Sequence, residues 1–107
     1  MAPTLYDRAG MAASISTHVL DTATGRPAAG VIVEVLRDGD TVASGTTDDD
    51  GRIGALASGL EAGVATIVFH PPSPFFRRVA LDVELGEGHH HVPLLISPYG
   101  CASYRGS

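Results

Sequence analysis

Hydrophobic and polar residues alternate along much of the chain, and a period of two is typical of β-strands because successive side chains point to opposite faces. The clearest alternation is in residues 77–85, where every second position is apolar: Val79, Leu81, Val83 and Leu85. Residues 15–20 alternate in the same way and divide into two faces, Ile15, Thr17 and Val19 on one and Ser16, His18 and Leu20 on the other. The pattern predicts strands with one buried face and one solvent-exposed face.

Turn signals separate these strands from further β-branched stretches. Asp38-Gly39 is a strong two-residue hairpin signal, and residues 48–51 (DDDG) form a second turn. Residues 71–74 (PPSP) cannot lie inside a strand or a helix, because proline has no amide donor. Between these breaks the sequence predicts strands at residues 31–36, 41–47, 52–56 and 64–70.

The end of the chain, residues 88–107 (GHHHVPLLISPYGCASYRGS), carries most of the candidate functional groups. Strand alternation places His89 and His91 on one face and His90 on the other. An apolar run at residues 92–96 predicts a buried strand, residues 97–100 predict a turn, and a second short strand returns. Because residues 104–107 follow that strand directly, we expect this terminus to be docked rather than frayed.

These elements add up to about eight short strands with turn signals between them, which is typical of an all-β antiparallel sandwich. No stretch shows helical periodicity over ten or more residues. A chain of 107 residues is long enough for one core but not for two. We expect a loose N-terminal leader at residues 1–14 and one domain at residues 15–107.

Composition narrows the possible partners. With 44% hydrophobic and 18% charged residues the chain has the composition of a folded domain. The net charge of -5 argues against general binding to nucleic acid or to anionic membranes, since both require a basic face. No apolar run approaches the roughly 20 residues that span a bilayer, and the N-terminus lacks the pattern of a signal peptide. The single Cys101 cannot form an internal disulfide and suits a small apolar filler, so we expect a soluble, cytoplasmic protein.

Four features could carry chemistry, and each also has a structural interpretation. His18 stands in the middle of a strand, where a lone histidine is usually a surface residue. Arg52 follows the acidic turn and could simply neutralise it, in an ion pair worth at most about 1 kcal/mol. The His89/His91 pair and the terminal residues 104–107 are the other two candidates.

Metal binding is a weaker hypothesis for the same residues. Two imidazoles in a His-x-His spacing can reach one zinc ion, but a structural zinc site needs four ligands and no further ligands are obvious. The acidic run at residues 48–51 lacks the bidentate glutamate of a calcium-binding EF-hand loop, and its flanks are strands. We therefore expect no metal and no cofactor.

Two sets of motifs resemble the transthyretin-like proteins, and in detail their 5-hydroxyisourate hydrolase branch. The segment ISTHVLDTATGRPAAGVIVEV, followed by TTDDDGR, is similar to the general prealbumin-like sandwich pattern and implies the fold. The segment HHHVPLLISPYGCASYRGS looks like the hydrolase signature, a His-x-His-Val-Pro-Leu strand leading to a Tyr-Arg-Gly-Ser end. Hormone-carrying transthyretins lack that end.

The resemblance implies hydrolysis of the cyclic amide of 5-hydroxyisourate to 2-oxo-4-hydroxy-4-carboxy-5-ureidoimidazoline in urate breakdown, without metal. It implies catalytic roles for His18, Arg52, His91 and Ser107, and contacts with substrate for His18, Arg52, Tyr104 and Arg105. Either histidine could be the general base, while the arginine would stabilise the oxyanion. The family's assembly implies a homotetramer, a dimer of dimers with sites in the channel between them.

The chain departs from the family pattern in three places. The connection at residues 71–76 is short, His90 stands where the family usually has Tyr, and residues 101–103 replace the usual Tyr-Ser-Thr. Two other functions stay open at this point. A small-molecule carrier would use the same channel without chemistry, and a structural sandwich would need the fold alone.

Overall fold

A computed structural model describes residues 12–106 of the protein and divides them into ten strand segments. These are β1 (Ala13–Asp21), β2 (Arg26–Pro27), β3 (Ile32–Arg37), β4 (Asp40–Thr46), β5 (Arg52–Leu60), β6 (Gly63–His70), β7 (Val79–Leu85), β8 (Gly88–His91), β9 (Leu94–Ser97) and β10 (Gly100–Ser103). The first strand begins at Ala13, inside the predicted leader 1–14. The remainder of that leader, residues 1–11, lies outside the described residues, so this domain boundary stays a prediction.

The strands form two sheets. One has the order β4-β3-β6-β7 and is antiparallel throughout. In the other, β8 and β9 lie end to end along one side of β1, β5 and β2 lie along its other side, and β10 pairs with β9 at the edge. The ten segments therefore occupy eight strand positions, which confirms the predicted sandwich of about eight strands.

Two pairings on one side of β1 depart from the antiparallel expectation. β1 runs parallel to both β8 and β9, with Ser16 opposite His91 and Val19 opposite Leu94. A parallel pair cannot be closed by a hairpin and needs a crossover connection, here most of the intervening chain. The strand at the start of the domain and the histidine strand near its end thereby become neighbours.

The core lies between the sheets and is filled by the predicted inner faces of the strands. Side chains that are fully buried include Ile15, Val19, Val33, Val35, Ile67, Phe69 and Leu94. Burying one such large apolar side chain contributes roughly 1.5–3 kcal/mol. Thr17 is buried among them because its hydroxyl donates a 2.7 Å hydrogen bond to the carbonyl of Val92.

Turn chemistry matches the sequence at the first hairpin. Asp38 and Gly39 have φ of 52° and 84°, so both occupy the left-handed region that a two-residue hairpin requires. Two other expectations need correction. β5 extends to Leu60 rather than Leu56, with two register shifts against β1. Cys101 is exposed rather than a buried filler, because β10 is an edge strand with one neighbour.

No helix occurs between residues 12 and 106, so the described part of the chain contains no helix able to cross a membrane.

Candidate active site

The outer face of β1 and its neighbouring strands collects three of the six predicted site residues, His18, Arg52 and His91. Ser14, Ser16 and His18 alternate with the buried Ile15 and Thr17, so they share the face that points away from the core. Residues that stand opposite one another on neighbouring strands project to the same face. The registers of β5 and β8 therefore decide which side chains join this face.

Arg52 joins the face from β5, where it stands opposite His18. The Nε2 of His18 lies 2.8 Å from the carbonyl oxygen of Asp50. A carbonyl only accepts, so this nitrogen carries the proton, and Nδ1 is the nitrogen of neutral His18 that can accept a proton. The structure thus brings His18 and Arg52 together and fixes the tautomer of the histidine.

The turn before Arg52 is shaped by Asp48 and Gly51. One carboxylate oxygen of Asp48 accepts hydrogen bonds of 2.9 Å from the amides of Asp50 and Arg52. Gly51 has φ of 74°, and a Cβ there would collide with the carbonyl oxygen of Val19. Asp48 thus fixes the backbone at the position where Arg52 leaves the turn.

Within the described residues, the guanidinium of Arg52 forms no ion pair with the carboxylates of this acidic turn. Within residues 12–106 the side-chain ion pair that forms is the one between His70 and Glu34, at 2.7 Å, and Arg52 has none. Arg52 is exposed on the outer face. The interpretation of Arg52 as a neutralising surface residue is therefore not supported by its contacts.

His91 joins the face from β8, directly opposite Ser16. Its Nδ1 lies 2.7 Å from the hydroxyl of Ser16, and its Nε2 makes no hydrogen bond with any described residue. Burial lowers the pKa of His91, and the positive charges of His18, Arg52 and His89 lower it further. His91 is consequently held in its neutral form at neutral pH and is close enough to His18 and Arg52 to sense their charge.

The faces predicted for the three consecutive histidines are confirmed. His89 and His91 both lie within hydrogen-bonding distance of the Ser16 hydroxyl, at 2.8 and 2.7 Å. His90 points the other way, is 8% exposed, and has its Nε2 2.9 Å from the carbonyl oxygen of Gly86. His90 is therefore separated from the outer face and is a satisfied buried histidine.

The C-terminal segment is docked at Gly106, as predicted. The amide of Gly106 donates a 2.8 Å hydrogen bond to the carbonyl of His91. Tyr104 and Arg105 line a groove of about 420 Å³, together with His90 and β7, and within residues 12–106 neither side chain forms a hydrogen bond with His18 or Arg52. Ser107 lies outside the described residues. The roles of these three residues stay predictions.

Sequence reasoning did not assign a role to Ser16, Gly106 or Asp48. The period-two pattern of Ser14, Ser16 and His18 was a visible signal for a polar outer face. The contact between Ser16 and the histidines depends on the parallel pairing of β1 with β8, which has no local signature. Between residues 12 and 106, no three His, Cys, Asp or Glu side chains come together as metal ligands.

The arrangement on the outer face can perform acid-base chemistry next to a permanent positive charge. A neutral imidazole can accept a proton from water, a second imidazole can exchange protons, and a guanidinium can stabilise an oxyanion. This set of groups is typical of hydrolysis at a polarised carbonyl.

Comparison with known proteins places the chain in a family. The profile of the HIUase/Transthyretin family matches residues 15–106. A 5-hydroxyisourate hydrolase of Mesorhizobium japonicum is 42% identical in an alignment that covers 87% of this chain and 91% of that protein. The chain therefore belongs to the HIUase/Transthyretin family.

Solved structures agree with this assignment. The structure of Klebsiella pneumoniae 5-hydroxyisourate hydrolase matches with a TM-score of 0.82 and 38% identity, covering 89% of this chain and 99% of that one. Sea bream transthyretin, solved in complex with thyroxine, matches with a TM-score of 0.76 and 26% identity, covering 87% and 94%. The transthyretin-like sandwich predicted from the sequence is thereby confirmed.

Proposed function

We propose that this protein is an enzyme that hydrolyses the cyclic amide of 5-hydroxyisourate, giving 2-oxo-4-hydroxy-4-carboxy-5-ureidoimidazoline. The observation that carries the proposal is the register of β1, which gathers His18, Arg52 and His91 on one outer face. Relatives named 5-hydroxyisourate hydrolase that align over most of this chain support the same reaction.

In this reaction a water oxygen adds to the ring carbonyl, the carbon–nitrogen bond breaks, and the leaving nitrogen takes up a proton. His91 is the general base, because its lowered pKa keeps the imidazole neutral and its Nε2 makes no hydrogen bond within the described chain. A positioned base of this kind contributes roughly 10² to 10⁴-fold to the rate. The proton removed from water passes to Nε2 of His91.

Arg52 and His18 complete the reaction. The guanidinium of Arg52 stabilises the oxyanion as the tetrahedral intermediate forms. His18 enters this step with both ring nitrogens protonated; its Nε2 proton is held by the carbonyl of Asp50, and it gives the Nδ1 proton to the leaving nitrogen. After one turnover His91 carries a proton that it must lose, and His18 has lost a proton that it must regain.

The site is shared between subunits of a homotetramer. In a single chain His18 is half-buried and Arg52 is exposed, while Tyr104 and Arg105 line a groove beside β7. Two dimers that meet across the outer face would enclose the substrate between them. Ser107 orients the attacking water or a histidine, since it follows Gly106, which is held at His91.

The reaction needs neither metal nor cofactor. Incubation with a strong chelator followed by desalting should leave activity and melting temperature unchanged, because a required metal would contribute to both.

We place the protein in the cytoplasm. Fractionation of the source cells should then recover the hydrolase activity in the cytoplasmic fraction.

Direct assay tests the proposed reaction. Freshly made 5-hydroxyisourate is supplied with and without the protein, and the decay of its ultraviolet absorbance is compared with its spontaneous decay. We expect the protein to accelerate the decay, and a decay rate unchanged at any protein concentration would contradict the proposal. Thyroxine binding measured on the same sample tests the carrier alternative, against which the charged and polar character of the outer face already argues.

A further inference from the structure

A continuous line of hydrogen bonds leads from His91 to the protein surface. The Ser16 hydroxyl lies 2.7 Å from Nδ1 of His91 and 2.8 Å from Nε2 of His89. The Nδ1 of His89 lies 2.7 Å from the hydroxyl of Ser14. Ser16 is 8% exposed, whereas His89 is exposed, so the line runs from a buried hydroxyl outward to solvent.

Each hydroxyl has one proton to donate and two lone pairs that accept, and each neutral imidazole donates from one nitrogen and accepts at the other. When the Ser16 hydroxyl donates to one of the two histidines, the bonds all point in the same direction. In one arrangement His91 donates from Nδ1 to Ser16, Ser16 donates to Nε2 of His89, and His89 donates from Nδ1 to Ser14. In the other arrangement every bond is reversed. The first arrangement leaves Nε2 of His91 without a proton, and the second places a proton there.

We propose that Ser16 and His89 form a proton relay that returns His91 from imidazolium to neutral imidazole by passing a proton to solvent while substrate is bound. This proposal rests on the proposed hydrolysis. When Nε2 of His91 has taken a proton from water, Nδ1 releases its proton to Ser16, and the Ser16 proton passes to Nε2 of His89. His89 then releases its Nδ1 proton to Ser14 or to bulk water. One proton enters at Nε2 of His91 and one leaves at the surface, so the line is now in its second arrangement. After product release the Nε2 proton passes to water, a proton re-enters at the outer end, and the line returns to its first arrangement.

The surroundings of His91 favour this direction of transfer. Burial and the positive charges of His18 and Arg52 all oppose an imidazolium at this position. Bound substrate would cover Nε2, which leaves Nδ1 and Ser16 as the exit for the proton. Ser16 and His89 are thus positioning residues, which act through His91 without touching substrate.

Two variants interrupt the relay at different points. Ser16→Ala removes the central hydroxyl, and His89→Gln keeps hydrogen-bonding groups at the outer position but removes the group that can titrate. We expect kcat to fall about 10-fold in each variant with KM unchanged, since proton transfer then limits turnover. Added imidazole should restore kcat, because a small buffer can carry the proton instead. Ser44→Ala and His70→Gln, on the other sheet, are the matched controls and should keep full activity.

The result that would overturn the relay is an unchanged kcat in His89→Gln, or a loss that imidazole does not restore. His89→Gln changes an exposed side chain, so it remains informative if Ser16→Ala does not fold.

A second measurement is independent of activity. Imidazole nitrogen NMR should show that protonation of His89 and of His91 is more strongly coupled in the wild type than in Ser16→Ala, where only their direct electrostatic interaction remains. Independent titration in the wild type would refute the relay even in an active enzyme. Coupled titration in a protein without hydrolase activity would instead refute the proposed reaction and leave the hydrogen-bonded relay in place.

Discussion

The backbone amide of Gly106 donates a 2.8 Å hydrogen bond to the carbonyl of His91, the proposed general base. A Cβ added at Gly106 would approach Cδ2 of the His91 ring to 2.6 Å. Glycine is required at this position for space, because any side chain would push into the imidazole. The C-terminal segment and the proposed base are thus positioned by one contact.

Gly106→Ala should therefore displace His91 or release the terminus. We expect kcat/KM to fall at least about 10-fold, since a small shift of a catalytic group is costly. The melting temperature should change little, because Gly106 lies outside the core. Gly86→Ala is the matched control, as an added Cβ there meets nothing within 4 Å. Wild-type activity in Gly106→Ala would show that the contact does not position His91.

Changes to the terminus test the docking more broadly. Deleting residues 104–107, or appending residues after Ser107, would have no effect on an ordinary frayed tail. For a docked terminus in a shared site we expect hydrolysis to be abolished while the circular dichroism spectrum of the sandwich is retained. A protein extended beyond Ser107 with unchanged turnover would argue against this role of the terminus.

Dilution tests whether the site is shared. A site enclosed by two dimers exists only in the assembled oligomer, so specific activity should fall at concentrations where light scattering shows dissociation. A fully active monomer would contradict the shared site while leaving the reaction itself intact.

The pKa of His91 gives a prediction with a definite sign. Arg52 contributes to lowering this pKa, so Arg52→Gln should raise it toward the ordinary value of 6.5. Arg26→Gln, in β2 at the far end of β1, should leave it unchanged. NMR titration of the His91 ring measures this pKa in both variants. No change in Arg52→Gln would mean that the guanidinium does not face His91.

The same lowered pKa links stability to pH. Protonation of His91 is easier in the unfolded chain than in the folded one, so this group's contribution to stability is complete above pH 6.5. The contribution is lost as the pH falls from 6.5 through the lower pKa of the folded state. In His91→Gln, the free energy of unfolding should depend less on pH in this acidic window, as measured by urea denaturation.

The sequence predicted most of the fold because the signals were local. The alternation of Val79 to Leu85 fixed the faces of β7, and Asp38-Gly39 fixed a hairpin through the backbone angles it permits. Exposure of Cys101 was missed because edge position depends on the order of strands in the sheet. No local pattern reports that order.

The candidate site was predictable only in part for the same reason. His18, Arg52 and His91 were found through motifs, but the contact of Ser16 with two histidines comes from a parallel pairing between strands more than 70 residues apart along the chain. The groove that Tyr104 and Arg105 line likewise follows from the path of the last residues past β7. Alternation assigns a side chain to a face, whereas only register assigns it a neighbour.

The most direct measurement of the central claim is the rate of 5-hydroxyisourate hydrolysis in His18→Ala, Arg52→Ala and His91→Ala, compared with His90→Ala. The first three each remove a group from the outer face and should lose at least about 10²-fold in kcat/KM while remaining folded. His90→Ala removes a buried histidine from the opposite face, so we expect near wild-type activity with a stability loss of about 1 kcal/mol. Full activity in any of the first three, or an inactive but folded His90→Ala, would contradict the proposed site.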